Sequence, residues 1–333
     1  MPKPAFRGRG TTPPADRKMN AGGINMKKTP GAMISVNKWA YIFLSPYFLF
    51  YFAFGLFPIL FSLGISFTDM KGIGETSFVG LQNYVSLFTK DAYFFKSLYN
   101  TGFFMVIYIP IVLVGGLLLA AVLNSRLLRV PNLFRLINFF PYITVPVAIG
   151  LIFSIMFDWS SGVVNNILLS LGLVNKGINW LGSAQYARYV CVAMLVWKQM
   201  GYHMMMYSAG LSTIPADLYE AAEIDGANPV QTFWHISVPQ VRSVTMFLLI
   251  TDIIHGFQLF DEPKLLFSGW TVSARVGGPS RSALTTIWYM YDTAFHTKMD
   301  YGYAAAISYS LFLVIMIFSI FAFRMYRSGS DLD

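Results

Sequence analysis

Ile214-Pro-Ala-Asp-Leu-Tyr-Glu-Ala-Ala-Glu-Ile-Asp-Gly-Ala-Asn-Pro-Val-Gln-Thr-Phe-Trp-His-Ile-Ser-Val-Pro239 lies between two apolar runs and does not read as a loose connector. Thr213 or Asp217 can cap a helix whose first turn holds Pro215. Leu218, Ala221, Ala222 and Ile224 supply that helix with an apolar side, and Gly226 stops it. Asn228 is a second N-cap with Pro229 at the first helical position. The second short helix runs through Gln231, Thr232, Phe233 and Trp234 to about Ile236, and Pro239 ends it. Helix, glycine turn and second helix together make a knob outside lipid. Ala221 and Ala222 let another backbone come close, while Glu220, Glu223 and Asp225 keep the outer side wet. A partner groove can take such a helix. The acidic face argues against a helix resting on lipid, which favours Lys and Arg.

Around this knob the chain is built for a membrane. Of 333 residues, 55% are hydrophobic and 12% charged, against about a quarter charged in a soluble domain. Mean hydropathy is +0.54. An ordinary cytosolic enzyme, a disulfide scaffold and a disordered tail protein are excluded. The single cysteine, Cys191, can form neither an intrachain bridge nor a cysteine zinc cluster, and reads as a buried small residue. Apolar runs of about 20 residues mark membrane spans. They fall at about 39–68, 97–125, 136–157, 189–212, 243–260 and 301–323. The expectation is an all-α integral membrane protein with six transmembrane helices, because long apolar runs are not the short alternating strands of a barrel.

Residues 1–38 hold eight Lys and Arg among many Pro and Gly, a composition that does not fold alone. They read as a basic cytoplasmic tail, either solvated or touching anionic lipid; Met19, Met26 and Met33 are further candidate starts. By the positive-inside rule the N-terminus is cytoplasmic. Six spans return the C-terminus, residues 327–333, to the same side, and place the knob, residues 214–240, there too. The membrane domain is then 39–326. Arg126, Arg129, Arg135, Arg242, Arg324 and Arg327 add a small inner bias. This net +8 signals topology and not nucleic-acid binding. Pro46, Pro58, Pro110, Pro141 and Pro146 lie inside spans and can kink them.

Ionisable residues at membrane depth are functional candidates. Lys198 lies nine residues past Tyr189, and Asp252 nine before Asp261. At about 1.5 Å per residue both sit about 13–14 Å deep. Three readings stay open: a salt bridge between them that shapes the path, direct hydrogen bonding of a solute by each, or two residues that never meet. His203, His255 and Gln258 are further polar candidates on the same two spans. Two membrane histidines are too few for a metal site, and no acid–base or nucleophile constellation for catalysis is visible.

The knob resembles the EAA loop of permease subunits of binding-protein-dependent ABC importers, whose pattern is E-A-A, three residues, G, nine residues, I-x-L-P. Here Glu220-Ala221-Ala222, Gly226 and Ile236-Ser237-Val238-Pro239 match every fixed position except Val238 for Leu. Phe140-Pro141-Tyr142, Gly210-Leu-Ser-Thr-Ile-Pro215, Phe260-Asp261, Gly277-Gly278-Pro279 and Gly302-Tyr-Ala-Ala-Ala306 are similar to further phrases of the carbohydrate branch, maltose/multiple-sugar type. The resemblance covers about 39–326 and departs from the family between Asp261 and Gly277, where the family segment is usually shorter. It implies a type I ABC importer permease fold in the bacterial plasma (inner) membrane. It implies as partners a cytoplasmic ATPase dimer, a second homologous permease and an extracellular or periplasmic sugar-binding protein. Glu220, Ala221, Ala222, Asp225, Gly226, Ile236 and Pro239 would be the ATPase-coupling residues.

The chain lacks the G-x-x-x-x-G-K-[ST] phosphate loop, so ATP and Mg would be bound by the partner subunits and no cofactor by this chain. The cargo expected is a sugar or oligosaccharide. The alternatives are another small solute such as a glycerol-phosphate compound, or a stand-alone secondary transporter driven by protons through Asp252 and the histidines. The last leaves the helical knob unexplained.

Overall fold

The computed structural model describes residues 30–72, 74–124, 130–267 and 276–330. Most of the basic tail, Arg126, Arg129, residues 268–275 of the segment between Asp261 and Gly277, and 331–333 lie outside them. The described residues are helical, apart from loops and two isolated bridges, Thr68–Phe78 and Lys71–Asp300. The chain divides into two units, Met1–Pro58 and Ile59–Asp333.

The first unit is described from Pro30, where α1 (Pro30–Phe50) begins, ahead of the apolar run at 39. Every side chain from Lys38 to Phe54 is exposed, as a surface made for lipid. A widened turn, Tyr51–Leu56, follows α1. It precedes Pro58, whose ring would meet the Phe54 carbonyl in a regular helix and which has no N–H to return.

The second unit contains most of α2 (Phe57–Ile65), then α3 (Gln82–Lys90), α4 (Ala92–Asn124), α5 (Pro131–Ile143), α6 (Pro146–Met156), α7 (Val163–Ser170) and α8 (Ala184–Leu211). After α8 come α9 (Ala216–Ile224), α10 (Pro229–Thr232), α11 (Val238–Gln240), α12 (Arg242–Phe257), α13 (Asp261–Leu266), α14 (Thr286–Phe295) and α15 (Tyr301–Ser330). Among the described residues three helical runs are long and apolar enough to cross a bilayer: Lys38–Ile65, Ala92–Asn124 and Tyr301–Arg324. Two bent pairs raise the number to as many as five. The remaining expected span lies in α8, whose 28 residues reach about 42 Å but carry Lys198, Gln199 and His203 and are less apolar.

The third expected span, 136–157, is not one helix. It breaks between α5 and α6 with a bend of 98°. Thr144 and Val145 are extended (ψ 142° and 130°) because Pro146 pushes its predecessor out of the helical region, and Pro146 then opens α6. The fifth expected span, 243–260, is α12, joined to the short helices before it by a 63° bend.

The core of the second unit is the seam between α4 and α8. Phe104, Tyr108 and Val112 meet Cys191, Met194 and Leu195 there, all nearly or fully buried. Glycines set how closely the helices cross. A Cβ on Gly116 would fall 2.5 Å from His203 Cβ, and one on Gly201 only 1.9 Å from the Asn138 carbonyl oxygen of α5. At the end of the seam remote from the knob, Asp91 gathers α3, α4, α14 and α15. It accepts from Tyr289 Oη (2.6 Å), Tyr303 Oη (2.7 Å) and the N–H groups of Tyr93 and Phe94. Burial pulls its carboxyl upward, but the two phenol donors and two backbone donors outweigh that and hold it below the ordinary carboxylate value.

Two outcomes follow from this packing. Gly201→Val should lower the melting temperature of the purified protein by an overpacking cost of about 1–3 kcal/mol. Gly102→Ala, where nothing lies within 4 Å, should leave it nearly unchanged. Asp91→Asn should destabilise at pH 7. A depressed folded pKa stabilises above the unfolded value of about 4 and is lost as pH falls through the folded one. The gap in melting temperature between wild type and variant should therefore close below about pH 4.

Candidate functional site

The knob is a locally closed elbow. Pro215 (φ −58°, ψ 135°) occupies the cap position of α9, and no side chain caps it. This corrects the expected Thr213 or Asp217 cap. Thr213 Oγ1 instead donates back to the Gly210 carbonyl (2.7 Å), and Asp217 sits within the first turn, where its charge suits the helix dipole. The far end closes as expected at glycine: Gly226 has φ +77°. Its N–H bonds the Glu223 carbonyl, and the Ala227 N–H bonds that of Ala222 (2.9 Å), the paired closure that a left-handed residue permits.

Asn228 and Gln231 then cap α10 reciprocally. The Gln231 N–H donates to Asn228 Oδ1 and the Asn228 N–H to Gln231 Oε1, both 2.9 Å. Pro239 does not end the second helix. The helix widens over Phe233–Ser237 and continues through α11 to the bend into α12. The wider turn again precedes a proline. Tyr219 Oη meets Ser237 Oγ (3.1 Å) and ties α9 to the returning segment.

The outer surface of the elbow differs from the amphipathic expectation. Glu220, Ala221, Glu223, Asp225, Gly226 and Pro239 are exposed, Ile236 is half-buried, and only Ala222 of the E-A-A triplet is buried. Ile224 does not join an inner apolar side: two residues on from buried Ala222, at about 100° per residue, it lies on the opposite face of α9, and its side chain is 86% exposed beside three carboxylates. Between the elbow and the ends of α4 and α8 lies a cleft of about 1030 Å³ lined by Leu118, Ala121, Leu211, Tyr219, Phe233 and Trp234, among others.

The polar residues on α8 and α12 are paired, but not as one expected reading had it. Lys198 does not meet Asp252. Lys198 Nζ contacts Glu262 Oε1 (2.5 Å), and His203 Nε2 contacts Asp252 Oδ2 (2.8 Å). The reason is the chain reversal after α12: α13 folds back and packs on α6 and α8, carrying Glu262 to Lys198. Asp252 is left level with His203, which is fully buried. Glu262 was missed from the sequence because it follows Asp261, where a linear reading leaves the membrane. His255 and Gln258 join neither pair; both are exposed near the end of α12. Among the described residues no three His, Cys, Asp or Glu converge to hold a metal.

The capping box makes a specific demand. Asn228→Ala should cost the elbow about 1 kcal/mol. Limited proteolysis should then nick the 225–232 segment sooner than in wild type, with the rest of the chain equally protected.

With this geometry in view, comparison with known proteins is direct. Residues 112–328 match the family model of the binding-protein-dependent transport system inner membrane component. The chain is 36% identical over 292 residues to the lactose transport system permease protein LacF of Rhizobium radiobacter, covering 88% of this chain and 94% of that protein. It is 34% identical over 295 residues to the arabinooligosaccharides transport system permease protein AraP of Bacillus subtilis, covering 87% and 88%. Its fold matches a chain in the crystal structure of a bacterial ABC transporter involved in the import of the acidic polysaccharide alginate (TM-score 0.76, 22% identity, 90% of this chain and 98% of that one). The elbow lies inside the matched region and the relatives span nearly the whole chain, so the protein belongs to the family of inner-membrane components of binding-protein-dependent transport systems, a multi-pass transport permease and not an enzyme.

Proposed function

We propose that this chain is a membrane-spanning permease subunit of an ATP-driven ABC importer that carries a sugar or oligosaccharide into the cell. Relatives at 36% and 34% identity are named for lactose and arabinooligosaccharide transport, which supports a carbohydrate cargo. In this reading α8 completes six spans, and both termini and the elbow are cytoplasmic. The observation that carries the coupling role is the elbow itself. Two short helices are locked end to end by the Gly226 closure and the Asn228 capping box, with acidic and apolar side chains turned outward. A segment so stiff can transmit a push.

Glu220, Ala221, Ala222, Asp225 and Gly226 would seat in the cytoplasmic ATPase dimer, with Ile236 and Pro239 shaping the return. ATP and Mg would be held by the ATPases, a second homologous permease would complete the path, and a sugar-binding protein would deliver cargo from the other face. Lys198, His203 and Asp252 stand on the two helices that flank the elbow and would shape the polar path. His255 and Gln258, exposed at the end of α12, would lie nearer the opposite mouth of such a path.

The test is ATP-driven uptake into proteoliposomes holding the complete complex, with labelled lactose, arabinotriose and glycerol 3-phosphate in parallel. Gly226→Val puts a β-branched residue at φ +77°, where L side chains are strained by about 1–2 kcal/mol. The variant should assemble and lose uptake at least about tenfold, equivalent to about 1.4 kcal/mol of coupling. Uptake of the sugars without ATPase subunits would overturn the reading, and uptake of glycerol 3-phosphate alone would replace the cargo.

A further inference from the structure

α8 enters the elbow and α12 leaves it, yet the two helices pack on each other only sparingly. α8 lies chiefly on α4 and α5, and α12 chiefly on α4 and α15. What joins α8 to α12 is a series of cross-links that descends to the elbow. The first is His203 to Asp252 (2.8 Å). One helical turn on, Tyr207 Oη donates to Thr245 Oγ1 (3.1 Å). A further turn on, Gly210 faces Val244 so closely that a Cβ would fall 2.8 Å from its Cγ2. Within the elbow, Tyr219 and Ser237 close the series at 3.1 Å.

The top rung is chemically special. His203 Nδ1 faces the Gln199 carbonyl oxygen (2.9 Å), which can only accept, so Nδ1 carries a proton. Nε2 faces a carboxylate oxygen. Both ring nitrogens of His203 are thus engaged, and pulling α8 from α12 would strand two buried polar groups. Gly116 makes room for His203 against α4, and Tyr108 Oη of the same helix reaches the Asp252 carbonyl (3.3 Å), so α4 packs on both members of the rung.

We propose that His203, Asp252, Tyr207 and Thr245 are positioning residues for coupling: they splint α8 to α12, so that a displacement of the elbow moves both helices as one lever instead of being absorbed by sliding between them. Apolar helix contacts permit small shear at little cost, whereas discrete buried hydrogen bonds resist it. This inference rests on the elbow reading above, and it adds force transmission to the part His203 and Asp252 play in shaping the path.

The experiment measures ATP hydrolysed per lactose imported by the complete complex in proteoliposomes, together with the affinity of the ATPase subunits for the permease. His203→Gln, Asp252→Asn and Tyr207→Phe should each raise ATP per lactose about fivefold or more while ATPase affinity stays within twofold. A merely structural role would lower uptake and hydrolysis in parallel and leave that ratio unchanged, which would overturn the proposal. If the charged-pair variants fail to assemble, Tyr207→Phe, which removes one oxygen, decides on the same ratio. The elbow reading fails separately: Gly226→Val would then couple like wild type. If Gly226→Val uncouples while all rung variants keep the wild-type ratio, the elbow stands and the splint falls.

Discussion

A backbone N–H or C=O in hydrocarbon has no water to turn to, and every departure from straight helix in this protein must repair its own hydrogen bonds. The departures are placed accordingly. Widened turns sit immediately before Pro58 and Pro239, where a missing N–H and a bulky ring would otherwise strain a regular helix. The break at Thr144–Val145 is taken in two extended residues ahead of Pro146, whose absent N–H is one that a helix start leaves unbonded anyway. At the elbow, glycine at positive φ and an asparagine–glutamine box account for the helix ends on both sides of a two-residue turn.

The same constraint governs the side chains. Lys198, Glu262, His203 and Asp252 are tolerated because each faces a partner of opposite character. Glycine makes these meetings possible: with a side chain at 116 or 201, α4 and α5 would stand off from α8, and the seam that levels His203 with Asp252 would open. The chemistry of the pairs and the closeness of the helices are one design, since a buried charge pair is stable only where packing excludes other arrangements.

The elbow and the two helices flanking it are cross-linked by polar rungs, while the long apolar faces of the remaining spans offer lipid nothing directional to hold. In the proposed coupling, a force applied at one end of a helix about 42 Å long does no work at the other if the helix slides past its neighbour.

Much was legible in the linear chain. Charge-free runs locate the long apolar helices Lys38–Ile65, Ala92–Asn124 and Tyr301–Arg324, and Gly226 with Asn228-Pro229 specifies the turn between two short helices from local stereochemistry alone. The E-A-A triplet and its spacing pointed to the family that the comparisons then showed. Three things were not legible. The 98° break turns on Pro146, which the linear reading offered only as a kink within one span, and α5 then seats against Gly201 of α8, a contact between residues more than sixty positions apart. The partner of Lys198 depends on α13 turning back, which depth counted along an ideal helix cannot represent. Which face of α9 is covered is set by what packs on it, and with Ala222 on that face Ile224 is left on the exposed one. Local stereochemistry and apolar run length act within a few residues, and so the sequence by itself determined the long apolar helices, the glycine turn of the elbow and the class of protein. Pairing of buried charges is decided by which helices come within about 3 Å of one another, and only the tertiary structure could choose His203 for Asp252 and Glu262 for Lys198.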